Sequence, residues 1–168
     1  MRVGVLIAPL FEDSELIYPY YRLQEAGHEA ILIGPEAKTY ASKHGIEMTA
    51  ARAGRDISVD ELDGVVIPGG YAPDHMRRDE PLVRLVAATF AAGKPVGAIC
   101  HAPWMLASAG IVDGRRLTSF FSIRDDMENA GGKWVDEEVV VDGHLVTSRR
   151  PGDLPAFMRE YLALLDEV

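Results

Sequence analysis

Cysteine is nearly absent from this chain, since Cys100 is the only one among 168 residues. A single cysteine cannot form an internal disulfide, which excludes a small secreted scaffold stabilised by disulfide bonds. The apolar stretch from Val3 to Phe11 is too short to cross a bilayer, and acidic residues follow it where a signal peptide needs small ones. We therefore expect a cytoplasmic protein with no membrane partner.

Basic residues are also scarce. Lysine and arginine number 17 against 26 aspartate and glutamate residues, so the formal net charge is −9. This balance argues against a nucleic-acid partner, because the average field of the protein repels a polyanion. The length and the 48% content of hydrophobic residues predict one globular domain over residues 1–168, with a full core.

Several signature motifs are missing. The sequence contains no phosphate-binding loop, no Gly-x-Gly-x-x-Gly fingerprint and no Gly-x-Ser-x-Gly elbow of a serine hydrolase. Its five histidines form no His-x-x-x-His pair, and with a single cysteine this predicts no metal site. No cofactor is expected either.

Short apolar runs alternate with helical patterns. We predict strands at about residues 2–8, 29–34, 64–68 and 95–99, a hairpin around Asp142-Gly143, and a small hairpin or excursion within 36–56. Helices are predicted before Gly27 and at about residues 81–92, 102–109 and 154–165. This alternation predicts an α/β fold, a three-layer sandwich with a mostly parallel sheet.

Cys100 lies in the turn between the strand predicted at 95–99 and the following helix. Ligands of open α/β sheets bind beyond the carboxyl ends of the strands, and a helix start favours a thiolate with a lowered pKa. The alternative is a cysteine that only fills space in the core. Its position at a strand end, next to His101, favours a reactive thiol.

Two other strand ends are expected to meet Cys100. Gly69 and Gly70 follow the strand predicted at 64–68, and their N–H groups are suited to an oxyanion hole. Glu12 and Glu15 follow the first strand, where acidic residues are usually helix caps. A carboxyl at this edge can also reach the thiol, and we expect such a pair to share one proton, with the pKa of the carboxyl raised.

These segments together resemble the PfpI/ThiJ superfamily, and within it the PfpI-type intracellular peptidases and general stress proteins. The resemblance runs from residue 1 to about 165. It rests on Phe-Glu-Asp-Ser-Glu-Leu-Ile-Tyr-Pro at 11–19, Pro-Gly-Gly at 68–70, Ala-Ile-Cys-His-Ala-Pro at 98–103, Asp-Asp-Met-Glu-Asn-Ala-Gly at 125–131 and Val-Thr-Ser-Arg at 146–149. It implies a flavodoxin-like sandwich with a nucleophile elbow, assembled as a homodimer or homohexamer.

The resemblance also implies roles for single residues. Cys100 is the implied nucleophile and His101 the neighbouring base, with Glu15 touching the thiol and Glu12 lining the site. Gly70 and His101 would supply the oxyanion N–H groups, with Gly69 beside them. Asp74 matches a glutamate that orients the histidine of a neighbouring subunit in peptidase members, and Phe120 replaces a tyrosine near the site. Both departures weaken the peptidase interpretation more than the thiol chemistry.

Three functions remain open at this point. The first is an enzyme that uses Cys100 on small reactive carbonyls or glycated adducts, as a deglycase or a cofactor-free glyoxalase. The second is an intracellular cysteine peptidase that works through an acyl-enzyme. The third is a redox sensor or holdase in which Cys100 is oxidised to a sulfinic acid beside Glu15.

Overall fold

The computed structural model describes residues 1–167, so the last residue of the domain expected at 1–168 lies outside the described residues. The strands are β1 (Arg2–Leu6), β2 (Glu29–Gly34), β3 (Thr39–Ala41), β4 (Glu47–Thr49), β5 (Arg52–Ala53), β6 (Gly64–Ile67), β7 (Val96–Ile99), β8 (Arg116–Leu117), β9 (Lys133–Trp134), β10 (Val139–Asp142) and β11 (Leu145–Ser148). The helices are α1 (Asp13–Glu25), α2 (Ala72–Met76), α3 (Glu80–Ala91), α4 (Pro103–Ser108), α5 (Arg124–Asn129) and α6 (Leu154–Leu165).

Within residues 1–167 a seven-stranded sheet forms the centre, in the order β10-β11-β7-β6-β1-β2-β5. Its neighbouring strands are parallel except for the antiparallel hairpin of β10 and β11. Helix α1 packs against α6, and α3 packs against α4, with both pairs also contacting the central strands. This confirms the predicted α/β sandwich with a mostly parallel sheet.

The central strands are buried because helices cover them. Strands β6, β7 and β11 are buried along their whole length, and β1 is buried after its first residue. The amphipathic helix predicted at 154–165 is α6, and its Tyr161 reaches the sheet because two strand positions are glycine. A Cβ at Gly64 would lie 2.5 Å from the Tyr161 hydroxyl, and one at Gly97 would lie 2.9 Å from its ring.

Both predicted hairpins are present, and the turn of one of them differs in detail. Residues 36–56 contain the expected small hairpin, formed by β3 and β4. The second hairpin turns at Gly143-His144 rather than Asp142-Gly143, because Asp142 pairs with Leu145 and Gly143 adopts the positive φ of 62°. The stretch around Asp74 forms the short helix α2 and buries Ala72 and Pro73.

The sheet brings several connections to one edge. The carboxyl ends of β1, β6 and β7 are adjacent in the strand order, so the segments that follow them meet there. Among the described residues, no helix combines the length and the apolar character that a membrane crossing requires.

Candidate active site

Cys100 occupies a strained turn directly after β7. Its φ of 64° lies in the left-handed region, which residues other than glycine rarely adopt. Two backbone hydrogen bonds hold this geometry, from the Cys100 N–H to the carbonyl oxygen of Ser148 (3.0 Å) and from the Phe120 N–H to the carbonyl oxygen of Cys100 (2.9 Å). The turn leaves Cys100 only 9% exposed, at the wall of a cavity.

Glu15 projects from the first turn of α1 and is fully buried. Its Oε2 accepts a hydrogen bond from the Gly69 N–H at 2.9 Å, whereas Oε1 has no hydrogen-bond partner among the described residues. Burial is the main cause that raises the pKa of Glu15 to about 8, although the Gly69 N–H lowers it. The carboxyl is therefore largely protonated at neutral pH, as the sequence predicted for a carboxyl beside the thiol.

Gly69 is placed differently from the expectation that its N–H faces the crevice. That N–H binds Glu15, and the Gly69 carbonyl oxygen accepts a hydrogen bond from the Glu12 N–H at 3.2 Å. A Cβ here would lie 2.5 Å from Glu15 Oε2 and 2.7 Å from the Cys100 Cβ. Gly69 therefore allows the close packing of Glu15 and Cys100, and it does not line the cavity.

The thiol of Cys100 is harder to ionise than the sequence suggested. Burial raises its pKa, and a negative charge on Glu15 raises it further. The backbone N–H groups of Gly70 and His101 lower the pKa, but they do not outweigh these two effects. The lowered thiol pKa predicted from the sequence is wrong, because the sequence does not show that this turn is buried. Two negative charges this close repel each other, so the Cys100–Glu15 pair holds one charge much more readily than two.

The His101 imidazole is held on several sides. Its Nδ1 lies 3.2 Å from the Cys100 Sγ, and its Nε2 lies 3.3 Å from the hydroxyl of Ser122. Phe120 stacks on the ring with centroids 5.1 Å apart, and Trp104 contacts it edge-on at 5.2 Å. Burial, assisted by the charge of Lys43, lowers the pKa of His101, which keeps the ring neutral and able to accept a proton at neutral pH.

A cavity of about 350 Å³ opens beside the sulfur. It is lined by Glu12, Glu15, Lys43, Gly70, Tyr71, Cys100, His101, Trp104, Phe120 and Pro151. Aromatic rings form much of its wall, and Tyr71 is 65% exposed. The residues that line it suit a small molecule with a polar reactive end and an apolar or planar body.

Lys43, which the sequence analysis did not single out, supplies a positive charge to the site. It lies in the turn of the β3–β4 hairpin, and its Nζ pairs with Glu12 Oε2 at 2.5 Å. Its charge acts on Glu15 and Cys100 as well as on His101. The weak periodicity of residues 36–56 gave no signal that this turn folds back onto the start of α1.

A second set of contacts secures the same turn. Asp13 accepts a hydrogen bond from the hydroxyl of Ser42 at 2.7 Å and pairs with His44 Nδ1 at 2.7 Å. Within the described residues, Glu12, Asp13 and His44 form the one group of metal-binding side chains whose ligand atoms all lie within 4.8 Å of one another. Each of them already has a protein partner, and these contacts join the β3–β4 hairpin to the start of α1.

Asp74, like Gly69, is a candidate residue that the structure does not bring to the cavity wall. Its carboxylate pairs with Arg78 one turn later in the chain, and Asp74 is absent from the cavity wall. Ser122 and Trp104 contact His101 instead, although the sequence analysis named neither. Both lie beyond the Cys-His motif, and only tertiary packing brings Ser122 to the ring.

Two curated proteins are similar to this chain over nearly its whole length. The deglycase PfpI of Pyrococcus furiosus is 48% identical over 98% of this chain and 99% of its own length. General stress protein 18 of Bacillus subtilis is 46% identical, with 99% and 98% covered.

Among solved structures, a two-domain protein of Anabaena variabilis, with a DJ-1/ThiJ/PfpI-like and a ferritin-like domain, superposes with a TM-score of 0.96. It is 41% identical, and the match covers 98% of this chain but 48% of that one. The model of the DJ-1/PfpI family matches residues 1–164. The chain therefore belongs to the DJ-1/PfpI family.

Proposed function

We propose that this protein is a cysteine-dependent stress-response enzyme that acts on reactive carbonyls or their glycated adducts, as a deglycase or glyoxalase. One observation carries the proposal: the only thiol of the chain lies in a strained turn, 3.2 Å from a neutral imidazole and at the wall of a small cavity. The relatives named deglycase and general stress protein support the same conclusion.

The first step is addition of the thiol to an aldehyde. The Cys100 sulfur bonds to the carbonyl carbon while its proton passes to His101 Nδ1, and the carbonyl oxygen then takes that proton from the imidazolium to become the hydroxyl of a hemithioacetal. The N–H groups of Gly70 and His101, which lower the pKa of Cys100, are suited to stabilise the oxyanion during addition.

The second step is a proton shift along the bound carbon pair. For an α-oxoaldehyde, a base removes the proton of the hemithioacetal carbon while the ketone oxygen gains a proton, which gives an enediol. The former ketone carbon then receives a proton and the hydroxyl on the sulfur-bearing carbon loses one, which leaves a thioester and a new hydroxyl group. Water then cleaves the thioester and releases a hydroxyacid and the free thiol. Glu15 and His101 are the groups placed to move these protons, since the pKa of Glu15 is raised to about 8 and that of His101 is lowered.

The peptidase alternative is weaker for a structural reason. It requires a histidine oriented by a carboxylate and a groove open enough for a peptide. The cavity beside the thiol has a volume of about 350 Å³, which suits a small molecule better than a peptide. The site within one chain therefore favours small carbonyl substrates.

Assembly is a further part of the proposal. We propose that one domain over residues 1–168 assembles as a homodimer or homohexamer in the cytoplasm, with Asp74 of a second chain approaching His101. Asp74 is only partly exposed, but the neighbouring Tyr71 is 65% exposed. An exposed aromatic ring beside charged residues suits the rim of a protein interface.

The test of the proposed chemistry is Cys100→Ser. We expect methylglyoxal consumption and hydroxyacid release to fall to background while the circular dichroism spectrum is unchanged, because the hydroxyl is a far weaker nucleophile than the thiol. Equal activity in the wild type and the variant would refute the thiol mechanism.

Two assays on the wild type distinguish the alternatives. Cleavage of a fluorogenic peptide without methylglyoxal consumption would favour the peptidase. A mass increase of Cys100 after mild peroxide, with neither activity, would favour the redox sensor.

A further inference from the structure

The left-handed backbone of Cys100 depends on a hydrogen bond to the neighbouring strand. The Cys100 N–H donates to the carbonyl oxygen of Ser148 at 3.0 Å, which extends the pairing of β7 with β11 by one bond. A residue with a side chain keeps a φ of 64° only where the surrounding structure enforces it. The orientation of the Ser148 carbonyl therefore matters for the position of the sulfur.

A carboxylate holds the other side of the same peptide group. The Ser148 carbonyl and the Arg149 N–H belong to one planar peptide unit and point in opposite directions. The Arg149 N–H donates to Oδ2 of Asp153 at 3.2 Å. Cys100 and the Asp153 carboxylate thus bind opposite edges of one rigid plane. A carboxylate on the N–H also polarises the peptide group and makes its carbonyl a stronger acceptor.

The guanidinium of Arg149 fixes the Asp153 carboxylate in turn. Nε donates to Oδ2 at 2.9 Å and Nη2 donates to Oδ1 at 3.2 Å, which is the two-pronged geometry of a strong arginine–carboxylate pair. Only 5% of the Asp153 side chain is exposed. Nη1 extends to Asp136 Oδ1 at 2.8 Å. The carboxylate that orients the peptide plane therefore has a defined position of its own.

Asp153 stands where an aspartate usually has a different role. It directly precedes α6, and an aspartate at that position commonly caps the helix through its side chain. Here the side chain makes no cap hydrogen bond, and its oxygens bond to Arg149 instead. Arg149 ends the Val-Thr-Ser-Arg segment at 146–149, to which the resemblance assigned no role. Contact with the strand end rather than helix capping therefore accounts for the direction of this carboxylate.

We propose that Asp153 is a positioning residue for the nucleophile and that Arg149 holds it in place. The carboxylate orients the peptide plane that follows β11, and the plane presents its carbonyl to the Cys100 N–H. The inference rests on the proposed function, in which Cys100 is the reacting group. Without the carboxylate the plane is free to rotate, the Cys100 N–H loses its acceptor, and the turn relaxes toward an ordinary backbone conformation that misplaces the sulfur.

Amide exchange resolved by residue measures how firmly this plane is held. Hydrogen exchange is followed by NMR in the wild type, Asp153→Ala and Asp153→Asn. We expect the Cys100 N–H to exchange about tenfold faster in Asp153→Ala, and less so in Asp153→Asn, whose amide oxygen still accepts a hydrogen bond. The Val96 N–H, which donates to His144 at the other end of the same strand pair, should keep its rate. Equal acceleration at Cys100 and Val96, or none at Cys100, would overturn the proposal.

Arg149→Lys tests the same pair with a milder change. Lysine keeps the positive charge and the backbone N–H but lacks the planar fork of arginine. We therefore expect exchange at Cys100 to lie between the rates of the wild type and Asp153→Ala. If Asp153→Ala does not fold, Asp153→Asn and Arg149→Lys decide the question, and wild-type exchange at Cys100 in both would refute the positioning role.

The matched control is Asp142→Ala, which removes a similar carboxylate at the opposite end of β11. Asp142 also accepts from a backbone N–H, that of Arg116 at 2.8 Å, and from the side chain of Arg115 at 3.3 Å. It pairs with the first residue of β11, whereas Asp153 holds the chain just after the last one. Exchange at Cys100 should match the wild type in this control, and acceleration equal to that of Asp153→Ala would contradict the proposal.

Kinetics then connect the orientation of the plane to catalysis. In Asp153→Asn we expect kcat for methylglyoxal to fall about tenfold with a smaller change in KM, because a displaced nucleophile affects the chemical step. Asp142→Ala should keep the wild-type kcat. An unchanged kcat in Asp153→Ala, despite faster exchange at Cys100, would refute the positioning role. A wild type that does not consume methylglyoxal counts against the proposed function, while the exchange rates still decide how the plane is held.

Discussion

At the scale of single residues, Glu15 determines how the site holds charge. Its carboxyl is fully buried, and one of its oxygens lacks a hydrogen-bond partner among residues 1–167. An ionised carboxylate in that position is costly, which is why its pKa rises to about 8. Ionisation of Glu15 is unfavourable in the folded state but not in the unfolded chain, so the free energy of unfolding depends on pH.

We predict that Glu15 makes the protein less stable as the pH rises from about 4.5 to about 8. In this window the unfolded chain releases the Glu15 proton while the folded protein retains it, so rising pH favours unfolding. Chemical unfolding curves of Cys100→Ser and Cys100→Ser/Glu15→Gln, measured across this range, isolate the effect from the thiol. As the pH rises, the free energy of unfolding of Cys100→Ser/Glu15→Gln should increase by a few kcal/mol relative to that of Cys100→Ser, and the difference should then become constant.

The control for this prediction is Glu47→Gln in the same Cys100→Ser background. Glu47 is exposed on β4, so its replacement should leave the pH profile unchanged. If the Glu15→Gln and Glu47→Gln profiles ran parallel, the burial argument for Glu15 would be wrong.

At the scale of elements, the β3–β4 hairpin is attached to the beginning of α1 by two neighbouring contacts, an ion pair and a hydrogen bond. Lys43 pairs with Glu12, and His44 pairs with Asp13. Burial alone raises the pKa of Asp13, but the hydrogen bonds from Ser42 and His44 together lower it. The hairpin forms a two-stranded sheet of its own, separate from the central sheet, and these contacts place its Lys43 at the cavity wall.

We predict that Asp13→Asn loosens the hairpin turn and weakens catalysis. Loss of the carboxylate should cost about 1 kcal/mol locally and speed hydrogen exchange at the amides of His44 and Ile46, which bind the Ser42 hydroxyl. Activity should fall several-fold, since Lys43 is held by the same turn. Because the pKa of Asp13 is lowered, this stabilisation is present at neutral pH and is lost as the pH falls through that pKa.

Asp60→Asn provides the comparison for the hairpin. Asp60 is exposed in the 3-10 turn Val59–Glu61, where its backbone N–H rather than its carboxylate bonds to Ser58. Exchange rates at His44 and Ile46 that match those of Asp60→Asn would contradict the role assigned to Asp13.

Elements with strong local signals could be predicted from the sequence, and those without them could not. Helix α6 has the boundaries given by its apolar spacing, and the buried strands β6 and β7 follow from short apolar runs. The placement of Lys43 and Ser122 could not be predicted, because it depends on how two irregular connections fold over the sheet edge. Burial of the Cys100 sulfur depends on the same tertiary packing, which is why the direction of its pKa shift was missed.

At the scale of the whole molecule, the cavity depends on segments that are far apart in the sequence. Its walls include Glu12 after β1, Lys43 in the hairpin, Cys100 after β7 and Pro151 after β11. Tyr71, on the cavity wall, is 65% exposed and directly precedes α2, which carries Asp74. A second chain could therefore complete the site without rearranging the first.

We predict that mixed assemblies restore activity between two damaged chains. Cys100→Ser and Asp74→Ala are unfolded together, refolded and assayed with methylglyoxal. In a hybrid dimer, the intact Cys100 site of one chain meets an intact Asp74 of the other, and an equal mixture should reach about a quarter of the wild-type activity. Mixing Cys100→Ser with Cys100→Ser/Asp74→Ala is the control and should give none.

Two results would contradict this cross-chain role. The first is full activity of Asp74→Ala by itself, and the second is sedimentation of the wild type as a monomer at the assay concentration. Either result would leave the thiol chemistry of one chain in place and remove Asp74 from it.

The aromatic wall of the cavity has a spectroscopic consequence. The chain has two tryptophans: Trp104 lines this wall and contacts His101, while the Trp134 Nε1–H donates to Ser119, which precedes the wall residue Phe120. Intrinsic fluorescence therefore reports the surroundings of the site rather than an average over the protein. Protonation of His101 or occupancy of the cavity will alter the emission before any unfolding occurs, so melting curves read from tryptophan need far-ultraviolet circular dichroism beside them.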